Sequence, residues 1–476
     1  MKYQYKLLIM CGMSFAFVQS SCRKFVEVDA PVTSINSKNV YNTDVTAAAV
    51  LTGLYSNFDQ DGFSISIVSA LAADELTLFG GSSSQATDFV PFYLNRVTST
   101  DLGIADFCKT FYPKIYVVNS AIEGLTSSQY LSASVKQQLL GEAYFMRAFY
   151  YFYLVNLFGD VPLALTTDYS VNGLLSRTSK DKVYQQIISD LERAQRLLSA
   201  QFLKSDAFSA YSLGVEERVR PTKWAATALL ARTYLYTGKW KNAEEQASAV
   251  INNSILFHLT PLNETFIKNN SEAIWQIQPV RSNLNTVDAA TFILPDTGPG
   301  GSASKIYLNN KLVNEFEFGD QRKNQWINSV EIGELRYYYA YKYKIPANVP
   351  VVTEYSVVMR LAEQYLIRAE ARTQQDNLEG ANNDLNAIRT RAGLENVNIN
   401  NKVNMLVSIL HERRIELFTE WGHRWFDLKR TGNIDKVMSV ASLEKGGIWD
   451  TNKQLYPFSA SDLEKDPNLI QNPGYQ

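Results

Sequence analysis

The chain has 476 residues, with 46 basic and 48 acidic side chains and a net charge of -2. That balance offers no electrostatic footprint for a polyanion and excludes nucleic acid as a natural partner. A hydrophobic share of 46% can build a substantial core, and 27 tyrosines against 3 histidines suit a surface that stacks on a ligand.

Residues 1–21 read as a secretory signal. Lys2 and Lys6 form the basic start, Leu7 to Val18 the apolar run, and Ser20 and Ser21 the small residues before Cys22. The run is too short to span a bilayer. A cysteine directly after small residues makes Cys22 the expected acylated first residue of the mature chain, although Gln19 stands where a leucine is usual. The plainer reading is an ordinary signal peptide cleaved nearby. Acyl chains contribute roughly 0.8 kcal/mol per buried CH₂, so several would anchor the protein durably. With Cys11 removed and Cys22 acylated, Cys108 alone remains, and no intrachain disulfide framework is possible. Cys108 is expected to be a small buried apolar side chain on a helix.

Residues 22–40 read as a lipid-anchored tether, followed by an N-terminal helical region over 41–253. The first helix is predicted over Tyr41 to Phe58, where Ala47, Val50, Leu51 and Leu54 share a face and Asn42 or Thr43 caps it. From Phe79 to Tyr93 the periodicity dissolves into FGGSSSQATDFVPFY, a loop with more rings than a loop needs. Helices follow over Asp101 to Leu125 and Ser132 to Phe158; the second is apolar nearly all round, so it should be buried, with Gly159 and Pro162 ending it. Another amphipathic helix covers Thr178 to Leu198, opening on Thr178 or Ser179.

Pro221 to Val250 is the clearest repeat unit, with Pro221 at a helix start and Ala231 and Ala243 twelve residues apart across Gly238. The spacing returns at Ala369 and Ala381. Small residues there let antiparallel helices approach closely, which predicts a tetratricopeptide-like hairpin used more than once. Between the two units, residues 254–350 read as an irregular loop and short-strand subdomain and the expected ligand face. AIWQIQPV and RYYYAYKYKI are its strand candidates. Residues 351–476 form a C-terminal helical region and polar tail.

The stretch from Leu406 to Gly432 carries Arg413, Arg414, Glu416, Glu420, Arg424, Asp427 and Arg430 among Trp421, Trp425 and Phe426. Unpaired charges beside such bulk would cost several kcal/mol, so these residues are expected to be mutual guanidinium–carboxylate partners. The helix is predicted to stop at Gly422, and a short one to restart at His423 and end at Gly432.

Motifs for catalysis are sparse. His411-Glu412 begins an HExxH pattern, but Ile415 stands at the second ligand position. No G-x-S-x-G elbow appears, and Gly298-Pro299-Gly300-Gly301 lacks the lysine of a phosphate loop. Asp74-Glu75 is the one acidic pair at a loop mouth; its plainer role is to tether the adjacent turn. His423 reads as a hydrogen-bonded member of the arginine corner. Neither a cofactor nor a metal is expected, and no enzymatic activity. A flat aromatic platform edged by polar groups can hold a sugar's apolar C–H face in water without transforming it. The predicted platform is Phe79, Phe92, Tyr93, Phe292, Tyr307, Trp326 and Tyr337, with Asp74, Arg96 and Gln325 as polar partners; core packing is the plainer reading for any single ring.

HERRIELFTEWGHRWFDLKRTG resembles the C-terminal signature of the SusD/RagB family of outer-membrane nutrient-uptake lipoproteins. SCRKFVEVDAP, FGDVPL, the Asp320-x-Arg322 turn and the closing DPNLIQNPGY are similar to that family as well. The resemblance implies a mainly α body of tetratricopeptide-like helix pairs, anchored by lipid in the outer membrane and facing the cell surface. It implies a SusC-like TonB-dependent transporter as partner and an oligosaccharide, or in some members a peptide, as cargo.

Overall fold

A computed structural model describes residues 39–56, 65–281, 283–300, 304–346 and 349–475, with the side chains of Leu102 and of residues 104–109 not among them. The expected signal, the acylated Cys22, most of the tether, Phe58 and the Cys108 side chain lie outside the described residues.

The body is a run of α-helices, each laid against the next. It opens with α1 (Asp44–Ser56) and α2 (Ile65–Ala72), followed by strand β1 (Leu76–Leu78) and the single turn α3 (Val90–Tyr93). Two long helices follow, α4 (Leu102–Ser127) and α5 (Ala133–Phe158). The short pair β2 (Val161–Pro162) and β3 (Arg177–Thr178) brackets α6 (Tyr169–Asn172), and α7 (Lys180–Leu197) returns along α5. Helix α5 is buried on nearly every side, as its apolar circumference requires. Its two buried charges are paired: Arg147 with Asp190 at 2.8 Å, and Glu142 with Arg220 at 2.5 Å and the Tyr55 hydroxyl at 2.6 Å. Gly159 closes it at φ 75°, in the left-handed region.

The repeat predicted from the alanine spacing is present twice. The first hairpin is α8 (Lys223–Tyr236) and α9 (Trp240–Ile251), turning at Gly238 with φ 69°. The second is α13 (Leu361–Gln374) and α14 (Leu378–Arg391), where Asp376 rather than glycine takes the left-handed turn at φ 62°. Ala231, Ala243, Ala369 and Ala381 are all fully buried. Helix α9 lies on α13, so the hairpins stack and the row runs α5, α7, α8, α9, α13, α14. The protein is mainly α, with a tetratricopeptide-like body. The first hairpin starts two residues later than Pro221 suggests, because Thr222 is the cap and its hydroxyl accepts from the Trp224 amide.

Between the hairpins stand β4 (Ala273–Ile277), α10 (Val287–Phe292), β5 (Ile306–Leu308), α11 (Asn310–Asn314), α12 (Gln321–Trp326), β6 (Ile327–Ile332) and β7 (Leu335–Ala340); β8 (Ser356–Arg360) leads into α13. All described strands form two-stranded antiparallel pairs, β1 with β5, β2 with β3, β4 with β8 and β6 with β7. Strand β4 is fully buried, and its Trp275 meets Phe145 and Phe149 edge-on at 5.1 and 5.3 Å.

The chain closes with α15 (Lys402–Glu416), α16 (His423–Arg430), α17 (Ile434–Glu444) and α18 (Ala460–Lys465). Helix α15 ends at Glu416, well before the predicted stop at Gly422. Lys342 Nζ donates to the carbonyls of Glu416 and Phe418 at 2.9 Å, and Arg360 Nη2 donates to Glu416 O at 2.7 Å. Two carbonyls at this end of the helix thus accept from cations instead of from a further helical turn. The intervening residues fold as a tight corner with Thr419 at φ 57°, and Gly422, at φ 77°, caps α16 instead.

Candidate functional site

Two assemblies stand out on this frame, a three-ring cluster at the surface and a buried ionic corner. In the β1–β5 ladder, Leu76 and Leu78 face Leu308 and Ile306 inward. The alternation of a strand then turns Thr77 and Tyr307 to the other face. Phe79 follows β1 directly, its amide donating to Lys305 O at 2.7 Å, and remains 38% exposed. Strand β7 lies beside β5 and brings Tyr337 edge-on to Tyr307 at 5.1 Å and to Phe79 at 6.2 Å. Gly300 sits against this cluster at φ 136°, and a Cβ there would come within 3.3 Å of the Phe79 ring. Glycine thus lets the loop close on the ring.

Phe79, Tyr307 and Tyr337 are the predicted platform residues that the structure brings together at the surface. Tyr93 stands behind them, 7% exposed, with the Lys445 ammonium 5.4 Å above its ring; burial first and then Tyr307 push its hydroxyl up to about 12. Arg96 is exposed and Gln325 half-buried.

Three other rings are not surface platforms. Phe92 is fully buried, edge-on to Tyr456 at 5.5 Å. Phe292 is 4% exposed and lines a water-sized cavity with Lys342 and Trp421. Trp326 is fully buried: its Nε1 donates to Leu262 O at 2.8 Å, and Lys342, Arg360 and Arg391 lie within 5.0 to 5.8 Å of its ring. An indole face among three cations is a favourable cation–π setting, so packing claims the ring that composition offered to a ligand. Asp74 is likewise taken, by Arg424 at 2.7 Å and Arg414 at 2.9 Å. Burial alone would raise its carboxyl; Arg424 and then Arg414 outweigh that and hold it well below the usual range.

The ionic corner is built as the dense charges of Leu406 to Gly432 require, but most partners come from elsewhere in the chain. Only Asp427, paired with Arg413 and Arg430 at 2.7 Å each, is shared within the stretch. Arg430 also reaches Glu370 at 2.5 Å. Glu416 takes Arg360 at 2.5 Å, Arg322 at 2.9 Å and Arg391; Glu420 takes Lys342 at 2.5 Å and Arg360 at 2.8 Å. Arg322 also pairs with Asp320 at 2.8 Å, so the Asp-x-Arg turn is structural. Spacing within the stretch could not reveal these partners, because they come from α12, the segment after β7, β8, α13 and α14. His423 is buried in the corner, 4.0 Å from Glu363; burial and then Arg232 and Arg413 keep its ring neutral.

No cluster of metal-ligating side chains exists among the described residues. His258 Nε2 lies 2.7 Å from Ser271 Oγ, with no ion pair to a carboxylate among the described residues.

The C-terminal part of the chain, residues 334–475, matches the SusD family model, and residues 32–235 match a second model described as starch-binding associating with outer membrane. A SusD-like protein of Formosa agariphila is 25% identical over 94% of this chain and 95% of its own. Another, from Bacteroides ovatus, is 25% identical over 89% of this chain and 82% of its own. Among solved structures, a SusD superfamily protein from Bacteroides vulgatus superposes with a TM-score of 0.78 at 21% identity, covering 91% of this chain and all of its own. A laminarin binding SusD-like protein superposes with a TM-score of 0.71 at 24% identity, covering 93% of this chain and 100% of its own. The stacked hairpins, the corner that closes them and the two family matches, which share no residue, converge: the chain belongs to the SusD family.

Proposed function

We propose that this protein is a lipid-anchored outer-membrane receptor that binds an oligosaccharide on Phe79, Tyr307 and Tyr337 and passes it, unmodified, to a SusC-like TonB-dependent transporter. The observation that carries the reading is the three-ring cluster: Phe79 stands 38% exposed, Tyr337 meets it edge-on, and Tyr307 in turn meets Tyr337 edge-on. Such rings present flat apolar faces to the C–H side of a sugar, while the exposed Ser82, Ser83 and Gln85 in the loop after Phe79 offer hydroxyl and amide partners. The family description, starch-binding and associating with outer membrane, and the laminarin-binding neighbour support a glycan as the ligand class. Cys22 would hold the receptor in the membrane and the helical body would meet the transporter.

Calorimetric titration of the mature protein with a panel of neutral oligosaccharides, laminarin fragments included, tests this. Saturable binding is expected, and the double substitution Phe79→Ala and Tyr337→Ala should weaken it at least about tenfold, as loss of two ring contacts implies, with the melting temperature little changed. Affinity unmoved by that pair of substitutions would place the ligand elsewhere. A sugar-release assay on the same material is expected to show no product; turnover would make the protein an enzyme. Saturable binding of peptides alone would shift the cargo to that class.

A further inference from the structure

The molecule holds a second cleft that the three-ring cluster does not use. It lies between α15, α16 and α17 and encloses 290 Å³. Val407 and Leu410 of α15, Leu428 of α16 and Val437 of α17 give it apolar walls. Its polar lining is dominated by cations, with Arg413, Arg414 and Arg424 inside and Lys436, which is exposed, at the rim.

The donors of these arginines are not all used. Arg413 is 1% exposed, and only its Nε is engaged, by Asp427 at 2.7 Å. Both of its terminal amines are buried without a partner among the described residues, and so is Arg414 Nε. Asp427 is shared with Arg430, Asp74 is shared between Arg414 and Arg424, and Arg414 also meets Glu315 at 3.3 Å. The remaining carboxyl in the lining is Glu75, whose Oε1 has no partner. Burial, and then Asp74 beside it, push that group up to about 7, so near neutral pH it subtracts less than a full charge. Buried guanidinium donors without acceptors are costly and uncommon, and an anion at hydrogen-bond distance is the group that best satisfies them.

We propose that this cleft is a ligand site separate from the aromatic face, and that it takes a small carboxylate with an aliphatic portion, its charge against Arg413, Arg414 and Arg424 and its chain along Val407, Leu410 and Val437. Size agrees with chemistry here. A volume of 290 Å³ suits a short acyl chain and is at the lower limit of ordinary small-molecule sites.

Hexanoate is the probe, titrated into the full mature chain by calorimetry beside hexanol and hexylammonium. Saturable binding of hexanoate is expected, with hexanol and hexylammonium at least about tenfold weaker, since a charge-assisted hydrogen bond contributes about 1.5–3 kcal/mol. Lys436→Glu and Val407→Asp change exposed rim positions, so the fold should survive, as an unchanged melting temperature would show; each should weaken hexanoate at least about tenfold. Phe79→Ala should leave hexanoate affinity as it is. The proposal is overturned if hexanoate does not saturate, if hexanol binds as well, or if both rim substitutions leave its affinity unchanged.

Discussion

Trp326 and Tyr337 are eleven positions apart in one aromatic-rich region, yet they have opposite fates. The tryptophan is fully buried among Lys342, Arg360 and Arg391, whereas the tyrosine supports the exposed Phe79. Trp326→Ala should therefore cost about 3–5 kcal/mol of stability, read as a lower urea midpoint, while Tyr337→Ala should leave the midpoint nearly unmoved. Ring content made the aromatic-rich region legible in the sequence but not which of its rings stand at the surface, because burial of a side chain depends on cations that arrive from other elements. Glu75 allows a second test. Its carboxyl titrates near 7 when folded and near 4.5 when unfolded. Between those values the folded state holds the extra proton, so stability falls as pH rises from about 4.5 to about 7 and the loss is complete above that. Glu75→Gln should remove the penalty, raising stability at pH 8 by up to about 3 kcal/mol and changing nothing at pH 4, as thermal melts across pH would record.

Among the elements, the alanine spacing made both hairpins legible, because close helix approach leaves its mark locally in small residues. The end of α15 was not legible. Helix-stop signals point to Gly422, but Lys342 and Arg360, far back in the chain, occupy the carbonyls at Glu416 and Phe418. Lys342 Nζ has three acceptors in all, the third being Glu420 at 2.5 Å. Lys342→Met strips one buried carboxylate of a partner and frees the Phe418 carbonyl, and should cost about 3–5 kcal/mol in denaturant unfolding. A smaller loss, within about 1 kcal/mol, would mean that Arg360 alone holds the corner.

For the whole molecule, most of the corner's carboxylates behave opposite to Glu75. Burial opposes ionisation at Asp74, Glu416, Glu420 and Asp427, but their arginine and lysine neighbours prevail and hold each carboxyl low. Groups whose folded values are depressed contribute stability that is complete above their unfolded values, about 4, and is lost as pH falls through the folded ones. Acid should therefore unfold the protein below about pH 4, and added salt to about 0.5 M should change stability little, because the pairs are shielded from screening ions. Melts in both series check this. The family and its mainly α architecture were legible from the C-terminal signature, since that stretch encodes the corner that closes the stack.

The same corner sets a timetable for biogenesis. Asp74 meets its arginines only 340 and 350 positions downstream. Until the last quarter of the polypeptide exists, an emerging chain carries an acid with no counter-ion and a row of hairpins with no closure. Maturation is thus expected to wait for the completed chain, so that a fragment stopping at Asn400 should stay protease-sensitive where the full-length chain resists.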